Sequence, residues 1–201
     1  MANQTSKTAT AEGAGLADVI ERLSRVVRAA EHEAGLNPAQ WEALRYLARC
    51  NRFSNSPGAL TDYLGATKGT VSQTLIALVR KGLVIKGPRQ GQRRSVALEL
   101  TEAGRTLLEQ DPWRSVERTG TALPAPARRL LADCLGTLLA GELARNGLKT
   151  FGFCRGCRFF EPDGAPDDEA GPHRCGLLDV TLEESDATRI CVEHEPKGAA
   201  R

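Results

Sequence analysis

Between Leu60 and Leu100 the spacing of apolar residues changes once, and that change limits the order of elements the chain can adopt. "LTDYLG" and "TKGTVSQTLIALVRKG" carry apolar residues at helical period, with Val71, Leu75, Leu78 and Val79 directed to the core. Thr67 is placed to cap the second helix and Gly82 to end it. From "LVIK" onward the period falls to two: Val96, Leu98 and Leu100 alternate with polar or small residues, around the polar tip "GPRQGQRR". Two short helices followed by a two-stranded ribbon is the order of a helix-turn-helix with a wing.

The flanking segments are helical. Leu16, Val19, Ile20, Leu23, Val26, Val27 and Ala30 form an apolar stripe that ends at "GLNP". Pro38 suits the first turn of a second helix, which runs through Trp41, Leu44 and Leu47 to about Cys50. "NSPG" breaks the chain again before Leu60. After the ribbon, "TEAGRTLLEQ" reads as a helix capped by Thr101 that ends near Asp111-Pro112. A last long helix starts near Pro124, presents Leu131, Leu135, Leu138, Leu139 and Leu143, and closes at Asn146-Gly147. Residues 1–15 are small, polar and aperiodic, as in a disordered arm. The expected fold is therefore mainly α with a small β-hairpin wing over residues 16–149, a winged helix-turn-helix. A short, irregular, metal-stapled module follows over residues 150–201.

Charge divides along the same boundary. Residues 16–149 hold 20 Lys+Arg against 13 Asp+Glu, whereas residues 150–201 hold 6 against 11, so a polyanion is the natural partner of the first segment only. Within 54–98 the imbalance is seven basic residues to Asp62 alone. Lys68, Thr70, Ser72, Gln73 and Arg80 leave the core face of their helix, and Gln73 has the groups to bond adenine in the major groove. Arg89, Arg93 and Arg94 stand near the ribbon tip, where a wing arginine reaches a narrow minor groove. No window approaches the apolar length of a membrane span, and no nucleotide loop or catalytic constellation stands out. The expectation is a cytoplasmic non-enzyme that binds double-stranded DNA.

"LTDYLGATKGTVSQTLIALVRKGLV" followed by "RRSVALELTEAGR" resembles the MarR family of dimeric transcriptional regulators, over about residues 16–147. The resemblance implies a homodimer whose first and last helices pair, a palindromic operator, and commonly a small-molecule effector. Family members often carry an aspartate two places before the second wing arginine; here Gln92 holds that place, so a carboxylate partner for Arg94 is missing.

The remaining segment has different chemistry. Cys154, Cys157, Cys175 and Cys191 give C-x2-C-x17-C-x15-C in a stretch with few apolar residues, and bound metal supplies folding free energy to such small modules. In a reducing compartment these thiols are better metal ligands than disulfides. One close pair with two solitary cysteines favours a 4Fe-4S cluster, with structural zinc as the alternative. Phe151, Phe153, Phe159 and Phe160 crowd the pair, and Gly152 and Gly156 let backbone N–H groups approach sulfur. Arg155 and Arg158 are expected to offset thiolate charge, and His173 and His194 to be surface side chains rather than ligands. Cys50 and Cys134 are expected to be small buried residues. Together these features point to a regulator, expected to be a repressor, whose operator binding is set by a cluster that responds to oxidants, nitric oxide or iron supply. Cluster loss would act through the dimer base. A small-molecule-responsive regulator with structural zinc is the alternative. A redox or electron-transfer accessory is a third reading, against which the basic helix and wing speak.

Overall fold

The computed structural model describes residues 15–33, 35–89 and 92–198, without the side chains at 33, 89 and 92–95. The arm expected at 1–15 lies outside it except for Gly15. Helix α1 (Leu16–Glu33) leads to α2 (Pro38–Arg49), α3 (Pro57–Leu64) and α4 (Lys68–Arg80). An antiparallel ribbon of β1 (Val84–Arg89) and β2 (Gln92–Leu100) follows, then α5 (Glu102–Leu108), α6 (Arg114–Gly120) and α7 (Ala125–Arg145).

The helix starts are those that local chemistry dictates. Asn37, Ser56, Thr67 and Thr101 each accept a bond from the backbone N–H three residues on, which satisfies one of the orphan donors at a helix start. Pro38 and Pro57 open α2 and α3 without losing a donor. Behind them Trp41, Leu44, Tyr46, Leu60, Val71, Leu75, Leu78, Val84 and Leu98 form one buried core. Val79, expected inside, is 40% exposed, because Leu75 and Leu78 already fill the contact with α2 and the ribbon.

The ribbon runs further into the basic segment than its composition implies. Val84 pairs with Leu100 and Arg89 with Gln92, with an irregularity between Pro88 and Arg89, so much of the expected polar tip is strand. Helix α6 was not anticipated; it has no apolar period and none of its residues is buried. Gly104 of "LTEAG" has a specific steric role: a Cβ there would lie 2.3 Å from the Leu83 carbonyl oxygen, where α5 crosses the base of the ribbon. Gly104→Ala is expected to cost about 1–3 kcal/mol, read as a lowered midpoint in thermal unfolding.

Within one chain α7 buries no residue; Leu16, Val19, Ile20 and Leu23 of α1 stand exposed, as do Leu130, Leu131, Leu135, Leu138 and Leu139 of α7. Among the described residues, the helix's own backbone aside, nothing lies within 4 Å of a Cβ added at Gly136 or Gly141. Cys134, expected buried, is exposed on this helix, while Cys50 is buried as expected.

The C-terminal segment comprises β3 (Gly152–Phe153), β4 (Phe160–Glu161), β5 (His173–Cys175), β6 (Val180–Leu182), α8 (Glu184–Ala187) and β7 (Ile190–Cys191). Strands β4, β5 and β6 form one antiparallel sheet, and β3 pairs with β7. Cys154, Cys157, Phe160, Leu182, Ala187 and Cys191 make a second buried cluster. This segment shares a boundary with the first core: Ile190 is buried within that core, and Phe151 and Val192 pack on it. The Phe151 ring stands edge-on to Tyr46 and Tyr63, 6.1 and 5.0 Å between centroids.

Candidate functional site

Two sets of residues carry chemistry. The first is the exposed side of α4. Gly65, at φ 58°, ends α3, and two residues later Thr67 caps α4, so the two helices meet across a tight turn. The Thr67 hydroxyl accepts from the Thr70 amide and lies 2.9 Å from the Thr70 hydroxyl, which fixes the first turn. Lys68, Thr70, Ser72, Gln73 and Arg80 are all exposed, so a rigid helix start presents short polar groups and one amide to the outside. Arg89, Arg93 and Arg94 fall on the ribbon strands, but their side chains lie outside the described residues. Lys81 is turned away from this face; its ammonium donates to the Gly35 carbonyl at 2.7 Å.

The second set surrounds sulfur. Cys154, Cys157 and Cys191 are buried and Cys175 is half-buried against them. Pairing of Phe160 with Cys175 brings the third cysteine of the motif beside the first two, and pairing of Gly152 with Cys191 brings in the fourth. The Cys154 thiol is hydrogen-bonded to the Cys191 sulfur. That bond, opposed by burial and assisted by the Glu193 amide, Asn51 and Ser54, brings Cys191 down to about 6. The same bond, followed by burial, pushes Cys154 up. Among the described residues no three His, Cys, Asp or Glu side chains are placed to hold a single metal ion.

The neighbours of this pocket come from both ends of the chain. Asn51, 1% exposed, directs its side-chain N–H to the Cys154 sulfur at 3.6 Å. Ser54, fully buried, accepts from the Val192 amide at 2.9 Å and contributes to the lowering of Cys191. The Asn51 amide donates to the Ile190 carbonyl at 2.9 Å, and Phe53 packs on the cysteine cluster.

Residues 34–95 match the model of the MarR family. Among solved structures, a MarR transcriptional regulator from Methanosarcina mazei Go1 is 25% identical, with a TM-score of 0.51, over 64% of this chain and 96% of that one. The S. aureus MepR–DNA complex gives 19% identity and a TM-score of 0.52 over 64% and 99%. NadR in complex with 4-hydroxyphenylacetate gives 23% and 0.51 over 64% and 94%. A comparison with curated proteins returns no match. Helices and ribbon therefore form a MarR-type winged-helix fold.

Several details around the MarR-type fold correct the sequence reading. Of the four phenylalanines expected at the cysteine pair, Phe151 belongs to the winged-helix core and Phe153 is 54% exposed; Phe53 takes a place instead. Arg155 pairs with Glu184, and Arg158 with Glu195 at 2.9 Å while covering the Phe159 ring, so neither is spent on thiolate. His173 is buried rather than superficial. Its Nδ1 accepts from the Asp163 amide at 3.1 Å, which leaves Nε2 to donate to Glu184 at 2.7 Å, so both nitrogens are occupied. His194 is half-buried, and its ring fills the space that a side chain at Gly152 would need, 2.5 Å from an added Cβ. Burial lowers its pKa, and its enclosed Nδ1 has no hydrogen-bond partner among the described residues.

Asn51 and Ser54 were not legible in the sequence as part of the sulfur site, since they precede Cys154 by about a hundred residues. The nearest signal is Phe53, a lone aromatic in the otherwise polar run "NRFSNS", which marks a loop with something to cover.

Proposed function

We propose that this chain is a homodimeric, DNA-binding transcriptional regulator whose operator affinity is set by a 4Fe-4S cluster held by Cys154, Cys157, Cys175 and Cys191. The observation that carries the reading is the convergence of all four motif cysteines in one largely apolar pocket on a MarR-type fold.

The DNA half rests on the exposed start of α4. Lys68, Thr70, Ser72 and Gln73 would meet base edges and phosphates in the major groove, with Arg80 on the flank and Arg89, Arg93 and Arg94 following the backbone or minor groove. The bare apolar faces of α1 and α7 support pairing with a second copy. Such a dimer would set two recognition helices about 34 Å apart on a palindromic duplex. No described helix is long and apolar enough to cross a membrane.

The residues present fit a sulfur-ligated cluster. A single ion requires its donors around one point at about 2.3 Å; a cube offers four separate iron corners and takes one thiolate at each. The donor set is all thiol, water is excluded by Phe53, Phe159 and Phe160, and Asn51 supplies a hydrogen bond to sulfur, with Ser54 and the Glu193 amide beside Cys191. When bound, the cluster would supply one-electron chemistry and sensitivity to oxidants, nitric oxide or iron supply. The protein's part is to hold four thiolates, shield them, and join them to the DNA-reading elements. The joint lies at the α2–α3 connection rather than at the dimer base expected from sequence order, because β7 docks on residues 50–54 and not on α7.

Anaerobically purified protein from iron-replete cells is expected to be brown, with about four iron and four acid-labile sulfide per chain. Colourless protein carrying one zinc would move the assignment to a small-molecule-responsive regulator with a structural metal.

A further inference from the structure

Seven consecutive residues, Cys50 to Ser56, join the sulfur site to the wing and to the start of α3. Cys50 ends α2 with its amide on the Tyr46 carbonyl and forms a parallel bridge to Ile190 of β7. Asn51 reaches the sulfur of Cys154, and Ser54 holds the Val192 amide next to Cys191, as described above. Arg52 crosses to the C-terminal segment, donating to the Thr181 carbonyl at 2.8 Å and pairing with Glu183 at 2.9 Å and with buried Asp186 at 3.3 Å. The Asn55 carbonyl accepts from the Leu98 amide of β2 at 2.7 Å, which fixes the wing, and Ser56 caps α3. The Tyr46 hydroxyl donates to the Ser54 carbonyl at 2.7 Å and so ties the turn back to α2. No more than four residues separate the donor on sulfur from the anchors of the wing and of the helix-turn-helix.

Resting on the function proposed above, we infer that Asn51 and Ser54 are positioning residues for the sulfur site, and that through them the α2–α3 connection transmits the state of that site to the wing and α3. The fully buried Asn51 side-chain N–H, aimed at sulfur, is costly unless an electron-rich acceptor is there, because the Asn51 oxygen is already bonded to the Phe53 amide and this donor would otherwise lack a partner. Hydrogen bonds to thiolate sulfur favour the more negative charge state of a cluster, so they are sensitive to its oxidation and to its loss. When the acceptor changes, Asn51 loses its bond. The short, fully bonded turn cannot absorb that change without moving Asn55 or Ser56. The coupling is then a shift between two arrangements of one element on which both sites act, which is what allostery requires.

The test uses full-length protein in cluster-loaded and cluster-free forms, and a duplex selected from a random pool by the loaded wild-type protein. Asn51→Asp keeps the side chain's size and the oxygen that accepts from the Phe53 amide at 3.2 Å, but removes the donor to sulfur. Ser54→Ala removes the hydroxyl that holds the Val192 amide next to Cys191. Wild type is expected to bind the duplex with different affinity in its two forms. In the double variant the ratio of the two affinities should fall to about 1, and the cluster's midpoint potential should move to a more negative value while its visible spectrum persists. Ser54→Thr, which retains a hydroxyl, should keep the wild-type ratio. Should the double variant lose its cluster, each single variant is read in the same way, and a reduced ratio in either upholds the relay. Loaded variants that retain the wild-type ratio and potential overturn the relay and leave the cluster assignment standing. Colourless wild-type protein overturns both.

Discussion

Arg45→Met is expected to destabilise the folded chain by about 3–5 kcal/mol. Arg45 lies between one buried and one half-buried carboxylate: it pairs with Glu31, 1% exposed, and with Asp111 at 2.9 Å, 9% exposed. The two indoles close the site. Trp113 donates to the Glu31 carboxylate at 3.1 Å, Trp41 to the Glu31 carbonyl at 3.2 Å, and the guanidinium stands 5.9 Å from the centre of each ring. Removing the cation leaves the buried Glu31 carboxylate and its half-buried neighbour Asp111 without a compensating charge, and Glu31 must take a proton or draw in water. The effect should be read by chemical denaturation against Arg25→Ala, which breaks an exposed pair with Glu21 and is expected to cost less than about 1 kcal/mol. Because the network joins α1 to α2 and to the linker before α6, the variant should also loosen the face of α1 left open in the single chain.

Raising salt from 50 to 200 mM is expected to weaken duplex binding by about 10³–10⁵-fold for a dimer that neutralises 6–10 phosphates. Six of the seven Lys+Arg in residues 54–98 of each chain, Lys81 being held by the Gly35 carbonyl, would supply that many contacts from two copies. Arg80→Ala should reduce the slope of log affinity against log salt with little change in preference among duplexes. Gln73→Ala should leave the slope and relax discrimination at one base position by about 1–3 kcal/mol. Titrations at several salt concentrations separate the two effects, and a flat response would remove the phosphate contacts.

Where local chemistry decides an element, the sequence was sufficient. Thr67 and Thr101 cap α4 and α5, Pro38 opens α2, and Gly147, at φ 64°, follows the end of α7, each as a turn or cap residue at that place requires. The spacing of the cysteines likewise carried their convergence. Helix α6 escaped because no apolar stripe marks it and only its own backbone bonds define it. The ion pair at Arg45 escaped for a different reason. Glu31 follows the α1 stripe as a charged residue that periodicity reads as solvated, and only the approach of residues 82 positions apart encloses it. Asn51 and Ser54 fall in the same class, since polar residues in a turn predict a surface loop until a distant strand covers them. The positions of Phe151 and Phe153 were misread because a count of aromatics near a motif does not say which core each ring enters.

The measurement nearest to the central claim is the affinity of one preparation for one selected duplex, before and after anaerobic removal of its iron and sulfide. It should be made at a single salt concentration, with dimer content checked in both states. Cluster control of DNA reading predicts that the two affinities differ by about 5–150-fold, with the dimer intact in both. Equal affinities on an intact dimer would contradict it.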